Sequence, residues 1–189
     1  MAAADTKDLK AKILRDVRVE ASQMFDRNFE RESFFGEAWR RRSSPVRGDG
    51  HVLISTGALR RSVMSRSDED SITFYSTLPY AAIHNNGGVI KVTRKMKSFF
   101  WAMYYKAAGG FKRRKDGSLS RSKRQERLSA EAEFWKAMAL KKVGEGVTIP
   151  RRRFLGLSPE LESAVTGIIE RNIEAYVNGI LGDLKKLEK

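Results

Sequence analysis

The chain has no cysteine among its 189 residues. Disulfides, thiolate chemistry and cysteine-ligated zinc are therefore excluded. Histidine is almost as scarce, with only His51 and His84, too few for a three-histidine catalytic zinc site. Apolar runs are short. The densest, Phe99-Phe100-Trp101-Ala102-Met103, falls far below the ~18–20 residues of a membrane span. The first eight residues lack the apolar centre of a secretory signal. The expectation is a soluble protein made in a cytosol, with no membrane partner. A phosphate-cradling G-x-x-x-x-G-K-[ST] loop is missing too.

Acidic residues are also in deficit. Against 37 Lys and Arg stand 23 Asp and Glu, a net charge of +14. The excess is concentrated: 13 Lys/Arg and only two acids, Asp116 and Glu126, lie between Lys91 and Arg127, a net of +11. Arg40, Arg41, Arg42 and Arg47 form a smaller group. Clustered positive charge points to a polyanion or an acidic protein surface. Apolar residues make up 41% of the chain, enough to build a core rather than a disordered polymer.

Periodicity outlines the elements. Leu9, Ile13, Val17, Ala21, Met24, Phe25 and Phe29 share one face of a helix over residues 6–32. Residues 33–50, with Pro45, Gly48 and Gly50, read as a loop. Residues 59–66 and 71–77 read as a β-hairpin turning at Asp68-Glu69-Asp70. Pro79 opens a short helix that Asn86-Gly87-Gly88 ends. Val89–Val92 is a strand, residues 95–107 a helix, Gly109–Lys123 a mobile loop, residues 129–141 a helix and Val147–Pro150 a strand. Ser158-Pro159-Glu160 starts a last helix. Its apolar stripe runs through Leu161, Val165, Ile168, Ile169, Ile173, Tyr176, Val177, Ile180, Leu184 and Leu187. The fold class is α+β: a small twisted antiparallel sheet flanked by long N- and C-terminal helices. Residues 1–189 read as one domain, with 91–146 a basic insertion inside it.

Few residues offer chemistry. Asp68-Glu69-Asp70 could be metal carboxylates, but neighbours on an extended chain point to alternate faces, so a charged turn is preferred. Neither histidine has a nucleophile or carboxylate at a telling spacing. Within 91–127 the cations interleave with Phe99, Phe100, Trp101, Tyr104, Tyr105 and Phe111. That pattern suits either phosphate contacts with base stacking or a buried aromatic stripe with a solvated basic side. Lys112-Arg113-Arg114-Lys115 is the better polyanion contact, and Arg151-Arg152-Arg153 is a second candidate for an interface or polyanion.

Three islands carry a resemblance. Leu53-Ile54-Ser55-Thr56-Gly57-Ala58-Leu59-Arg60-Arg61-Ser62, Tyr80-Ala81-Ala82-Ile83-His84-Asn85-Asn86-Gly87-Gly88 and Ile149-Pro150-Arg151-Arg152-Arg153-Phe154-Leu155-Gly156-Leu157-Ser158 come in that order. Together they resemble the phage virion-morphogenesis and tail-completion family. Thr56, Gly57, Leu59, Tyr80, His84, Gly87, Gly88, Pro150, Phe154 and Gly156 match its motifs, as structural rather than catalytic positions. Arg152 matches the family's usual Arg. Arg151 and Arg153 stand where the family often has Ala and Pro, and the long basic gap after Gly88 is not implied by the resemblance.

The resemblance implies a non-enzymatic virion subunit without cofactors, assembled in the bacterial host cytoplasm as a hexameric ring. It places that ring at the head–tail joint, between connector proteins and the tail tube. The basic segment would dock on an acidic neighbour ring or face packaged double-stranded DNA. Docking is preferred, because a strongly cationic channel would retard DNA. The alternative is a sequence-independent nucleic-acid-binding protein; an enzyme such as a nuclease is more distant.

Overall fold

A computed structural model describes residues 6–42, 51–111, 115, 117–118 and 122–187. The fold is α+β, with small antiparallel ladders between long terminal helices. Among the described residues the strands pair as three separate two-stranded ladders rather than one sheet. The chain divides into two compact units. The first is built from residues 1–39, 53–85 and 152–189, the second from 40–52 and 86–151. The 91–146 segment lies wholly in the second unit.

In the first unit, α1 (Thr6–Glu30) and α6 (Pro159–Leu187) are the long helices. They run antiparallel: Phe25 packs near Leu161, while Asp16 meets Asn172. The α1 stripe read from periodicity is the buried one, ending in Ala21, Phe25 and Phe29. Ser158 caps α6, its hydroxyl accepting from the Leu161 amide at 3.1 Å. The core is aromatic. Phe25 meets Phe74 edge-on at 5.0 Å, and Phe29 lies 5.1 Å from Phe154 and 5.6 Å from Trp39.

Two sequence expectations need correction in this unit. Residues 33–38 are not loop: β1 (Ser33–Phe34) and β2 (Glu37–Ala38) form a minimal hairpin. Its central residues, Phe35 and Gly36, both have positive φ, the geometry of a primed two-residue turn. Phe34, Phe35 and Trp39 anchor the hairpin in the core, which outweighs the polar flanks. Pro45, Gly48 and Gly50 lie outside the described residues. The second correction concerns residues 58–61, which form the short helix α2 (Ala58–Arg61) instead of a strand. The hairpin begins after it, as β3 (Val63–Ser67) and β4 (Ile72–Ser76). Then α3 (Ala81–Asn86) follows Pro79 as expected.

In the second unit, β5 (Gly88–Lys91) pairs with β6 (Gly146–Ile149). The helices α4 (Arg94–Gly109) and α5 (Lys123–Leu140) pack on each other around Val92, Phe100 and Ala139. The side chains of Thr93 and Ser122 cap them, accepting from the Met96 and Gln125 amides at 3.2 Å each. That cap starts α5 six residues earlier than its apolar pattern suggested. Of the Gly109–Lys123 stretch, residues 112–114, 116 and 119–121 lie outside the described residues, while Gly109 ends α4 and Lys123 opens α5. No described helix is long and apolar enough to cross a membrane.

Replacing Ser158 by Ala removes the α6 cap. A loss of ~1 kcal/mol is expected, read as a lower urea midpoint at unchanged slope.

Candidate functional site

The three motif islands meet around the C-terminal half of α1, all within the first unit apart from the junction residues. The third island is the centre. From Arg152 to Leu155 the chain is neither helix nor strand, so its backbone groups need partners from elsewhere. They find them in side chains. Asn85 Oδ1 accepts from the amides of Phe154 and Leu155 at 2.8 and 2.9 Å, and its Nδ2 donates to the Leu155 carbonyl at 3.1 Å. Asn28 Nδ2 donates to the Phe154 carbonyl at 3.3 Å, while its Oδ1 accepts from the Phe35 amide at 3.0 Å. Trp39 Nε1 donates to the Arg153 carbonyl at 2.6 Å, and the Arg152 amide donates to the His84 carbonyl at 2.8 Å. So held, the Phe154 ring is driven into the core at 1% exposure.

The arginine run is split by this extended backbone. Arg151 is exposed and Arg152 is buried. The Arg153 guanidinium lies over the Phe34 ring, 4.4 Å from its centroid, where a cation meets the negative π face. It also packs against Gly156, so a Cβ there would collide with it. Gly156, at φ 145°, thus serves both a rare backbone angle and a close approach. One side chain of the run, not three, is left for an outside partner.

The other islands are equally structural. Thr56 Oγ1 accepts from the Ala58 amide at 3.3 Å, and Gly57 precedes α2 at φ 70°. Leu59 is buried. Arg60 reaches back to α1, donating to both oxygens of Asp26 at 2.5 Å and to Glu30 at 2.7 Å. The guanidinium holds the Asp26 carboxyl below its usual value, and the two carboxylates push the pKa of Arg60 up. In the second island Tyr80 is partly exposed and meets the His84 ring edge-on at 6.0 Å. Gly87, at φ 71°, passes so close to the Arg151 backbone that a Cβ would sit 2.9 Å from its amide nitrogen. Gly88 pairs with Ile149 in the β5–β6 ladder, and Pro150 follows it, half-buried.

The remaining candidates do not converge. Asp68 closes the hairpin turn through its amide to the Ser71 carbonyl and pairs with Arg66, while Asp70 pairs with Lys10. His51 is exposed. Among the described residues no group of three or more His, Asp and Glu could hold a metal ion. Lys112, Arg113 and Arg114 lie outside the described residues; Lys115 is exposed in a turn. The aromatics of 91–127 divide: Phe100 is buried and stacks on Trp135 at 5.8 Å, while Phe99 and Tyr105 are exposed.

Sequence reasoning passed over Asn28, Trp39 and Asn85. Asn28 carried a signal: a polar residue between Phe25 and Phe29 sits on the buried side of α1, where it must be hydrogen-bonded. Asn85 and Trp39 carried none, because their partners are backbone atoms about 70 and 114 residues away.

Two outcomes follow. Asn85→Ala strips partners from three backbone groups and should cost ~2–4 kcal/mol. Asn85→Asp keeps the acceptor for both amides and should cost less, so urea titration should rank wild type, Asp, Ala. For Asp26 the folded pKa lies below the unfolded one, so the folded state binds fewer protons. Its contribution is present above the ordinary carboxylate value of 3.8 and is lost as pH falls through the lower folded value. Asp26→Asn should therefore flatten the fall in Tm between about pH 5 and pH 3.

Comparison with known families gives this arrangement a context. The model of the phage virion morphogenesis family matches residues 3–174. A search of curated proteins and a search of solved structures each gave no match. The match spans all three islands, α1 and α6 as far as residue 174, and family membership carries a structural or assembly role in a phage particle. The chain belongs to the phage virion morphogenesis family.

Proposed function

We propose that the chain acts at the phage head–tail joint, as a neck, tail-completion or terminator subunit that helps join or seal the tail to the DNA-filled head. In this reading it assembles as a closed ring, six copies being the expected number, between connector and tail-tube proteins. A ring closes through heterologous contacts, so each copy needs two different faces. The reading includes no catalytic step.

The partition of charge between the two units carries the proposal. The second unit holds 21 Lys/Arg against 6 Asp/Glu, a net of +15; the first holds 16 against 17, a net of −1. Thr56, Gly57, Leu59, Tyr80, His84, Phe154 and Gly156 of the family motifs lie in the near-neutral first unit, and Gly87, Gly88 and Pro150 in the second. The charge rides on the second, at exposed positions including Lys91, Arg94, Lys95, Lys106, Lys115, Lys123, Arg124 and Arg127. A near-neutral unit and a strongly cationic one in the same chain suit a part that must recognise an acidic neighbour in an assembly.

A second reading, sequence-independent nucleic-acid binding, is favoured by one observation. Tyr105 is 66% exposed, stacks on Trp101 at 6.0 Å and is followed by the exposed Lys106. Exposed aromatics beside cations can stack bases while phosphates are neutralised.

The chain with Lys112, Arg113, Arg114 and Lys115 all changed to Ser separates the two. Docking predicts at least tenfold weaker attachment of the subunit to purified tails. Unchanged attachment with altered DNA retention or ejection overturns docking. Tight DNA binding by the wild-type monomer, with a steep salt slope and no affinity for tails, overturns the head–tail reading itself.

A further inference from the structure

The helix α6 has two apolar faces, and α1 accounts for one. Leu161, Ile168 and Asn172 are buried along the side that meets α1. Ile173, Val177, Ile180, Leu184 and Leu187 form another stripe, exposed by 46, 45, 41, 52 and 63%. At 100° per residue this second stripe lies about a third of a turn from the first. Its spacing alternates four, three, four, three, the heptad repeat of a coiled-coil seam. Leu181, 49% exposed, widens it on one side. The pairing of Asp16 with Asn172 also sets the reach of α1. Continuing that register puts Thr6 opposite about residue 182, so about the last turn and a half of α6 runs past the described part of α1.

We infer that this seam pairs with the same seam of other copies of the chain, the C-terminal halves of α6 packing parallel and in register. A heptad stripe is complementary to itself, because each knob fits the hole between four residues of an identical helix. In that frame Ile173, Ile180 and Leu187 hold the d positions, and Val177 and Leu184 the a positions. Isoleucine at d disfavours a two-stranded parallel pair and favours three or more strands. Area agrees. Fifteen residues span only ~22 Å of a helix ~10 Å wide. One pair of such seams falls well short of the ~800 Å² per partner of a standard interface, whereas three or more strands cover each seam from both sides. Parallel packing also puts Tyr176 of one helix beside Leu181 of the next, so the flanks continue the apolar contact. Where α6 runs along the rotation axis of a closed assembly, its copies are parallel by symmetry.

The absence of cysteine makes a direct test possible. In the full-length chain, Ile173→Cys and Leu187→Cys each place one thiol at an end of the seam, and Asn178→Cys places one on an exposed position off it. After copper-phenanthroline oxidation at high protein concentration, both seam variants should run as disulfide-linked species on a non-reducing gel, and Asn178→Cys should not. Ile180→Asp, which puts a charge in the seam, should raise the concentration at which oligomers dissociate at least tenfold by light scattering. Absence of links in either seam variant, or equal linking in Asn178→Cys, overturns the inference. Attachment to tails is scored separately. A chain that fails to link but still joins tails removes this inference and leaves the proposed function; one that links but joins no tail does the reverse.

Discussion

Much of the first unit depends on one amide side chain. The segment from Arg152 to Leu155 crosses the core without a helix or ladder to absorb its peptide groups. An unpaired buried peptide group costs ~1–3 kcal/mol, so such a path is tenable only with dedicated partners. Asn85 supplies three hydrogen bonds to it, and Asn28 and Trp39 add one each. A single amide can do this because it is at once donor and acceptor. With the backbone settled, Phe154 packs on Phe29, Arg153 on Phe34 and Gly156, and α6 starts at Ser158 in the position to meet α1.

The family motifs thereby acquire physical meaning. Gly57, Gly87 and Gly156 occupy left-handed or close-contact positions that a side chain would strain. Leu59 and Phe154 fill the core, and Arg60 ties α2 to Asp26 and Glu30 of α1. These residues hold a shape: each serves a turn, a core contact or an ion pair. The charge excess lies elsewhere, in the second unit, with a net of +15 against −1 in the first.

α6 joins these themes. Its first half is fastened inside the unit by the capped start and the contacts to α1. Its second half keeps the apolar pattern but leaves the residues exposed. A helix apolar on two sides signals more than one packing partner. The apolar stripe that reads as continuous in the sequence, from Leu161 to Leu187, is two stripes with different surroundings.

The helices other than α2, the β3–β4 hairpin, the α6 cap and the α+β class were legible in the sequence, because each rests on spacing or on residues within a few positions. It also located the cationic segment, since net charge needs no coordinates. The β1–β2 hairpin and α2 were misread because anchors outside the local pattern decide them: Phe35 and Trp39 in the core, Arg60 on α1. Only the tertiary structure decided which way each arginine of 151–153 faces, which half of the α6 stripe is covered, and that Asn85 holds the third island. Those depend on contacts between residues 70 or more positions apart, and no local periodicity encodes the partner of a backbone carbonyl that far away.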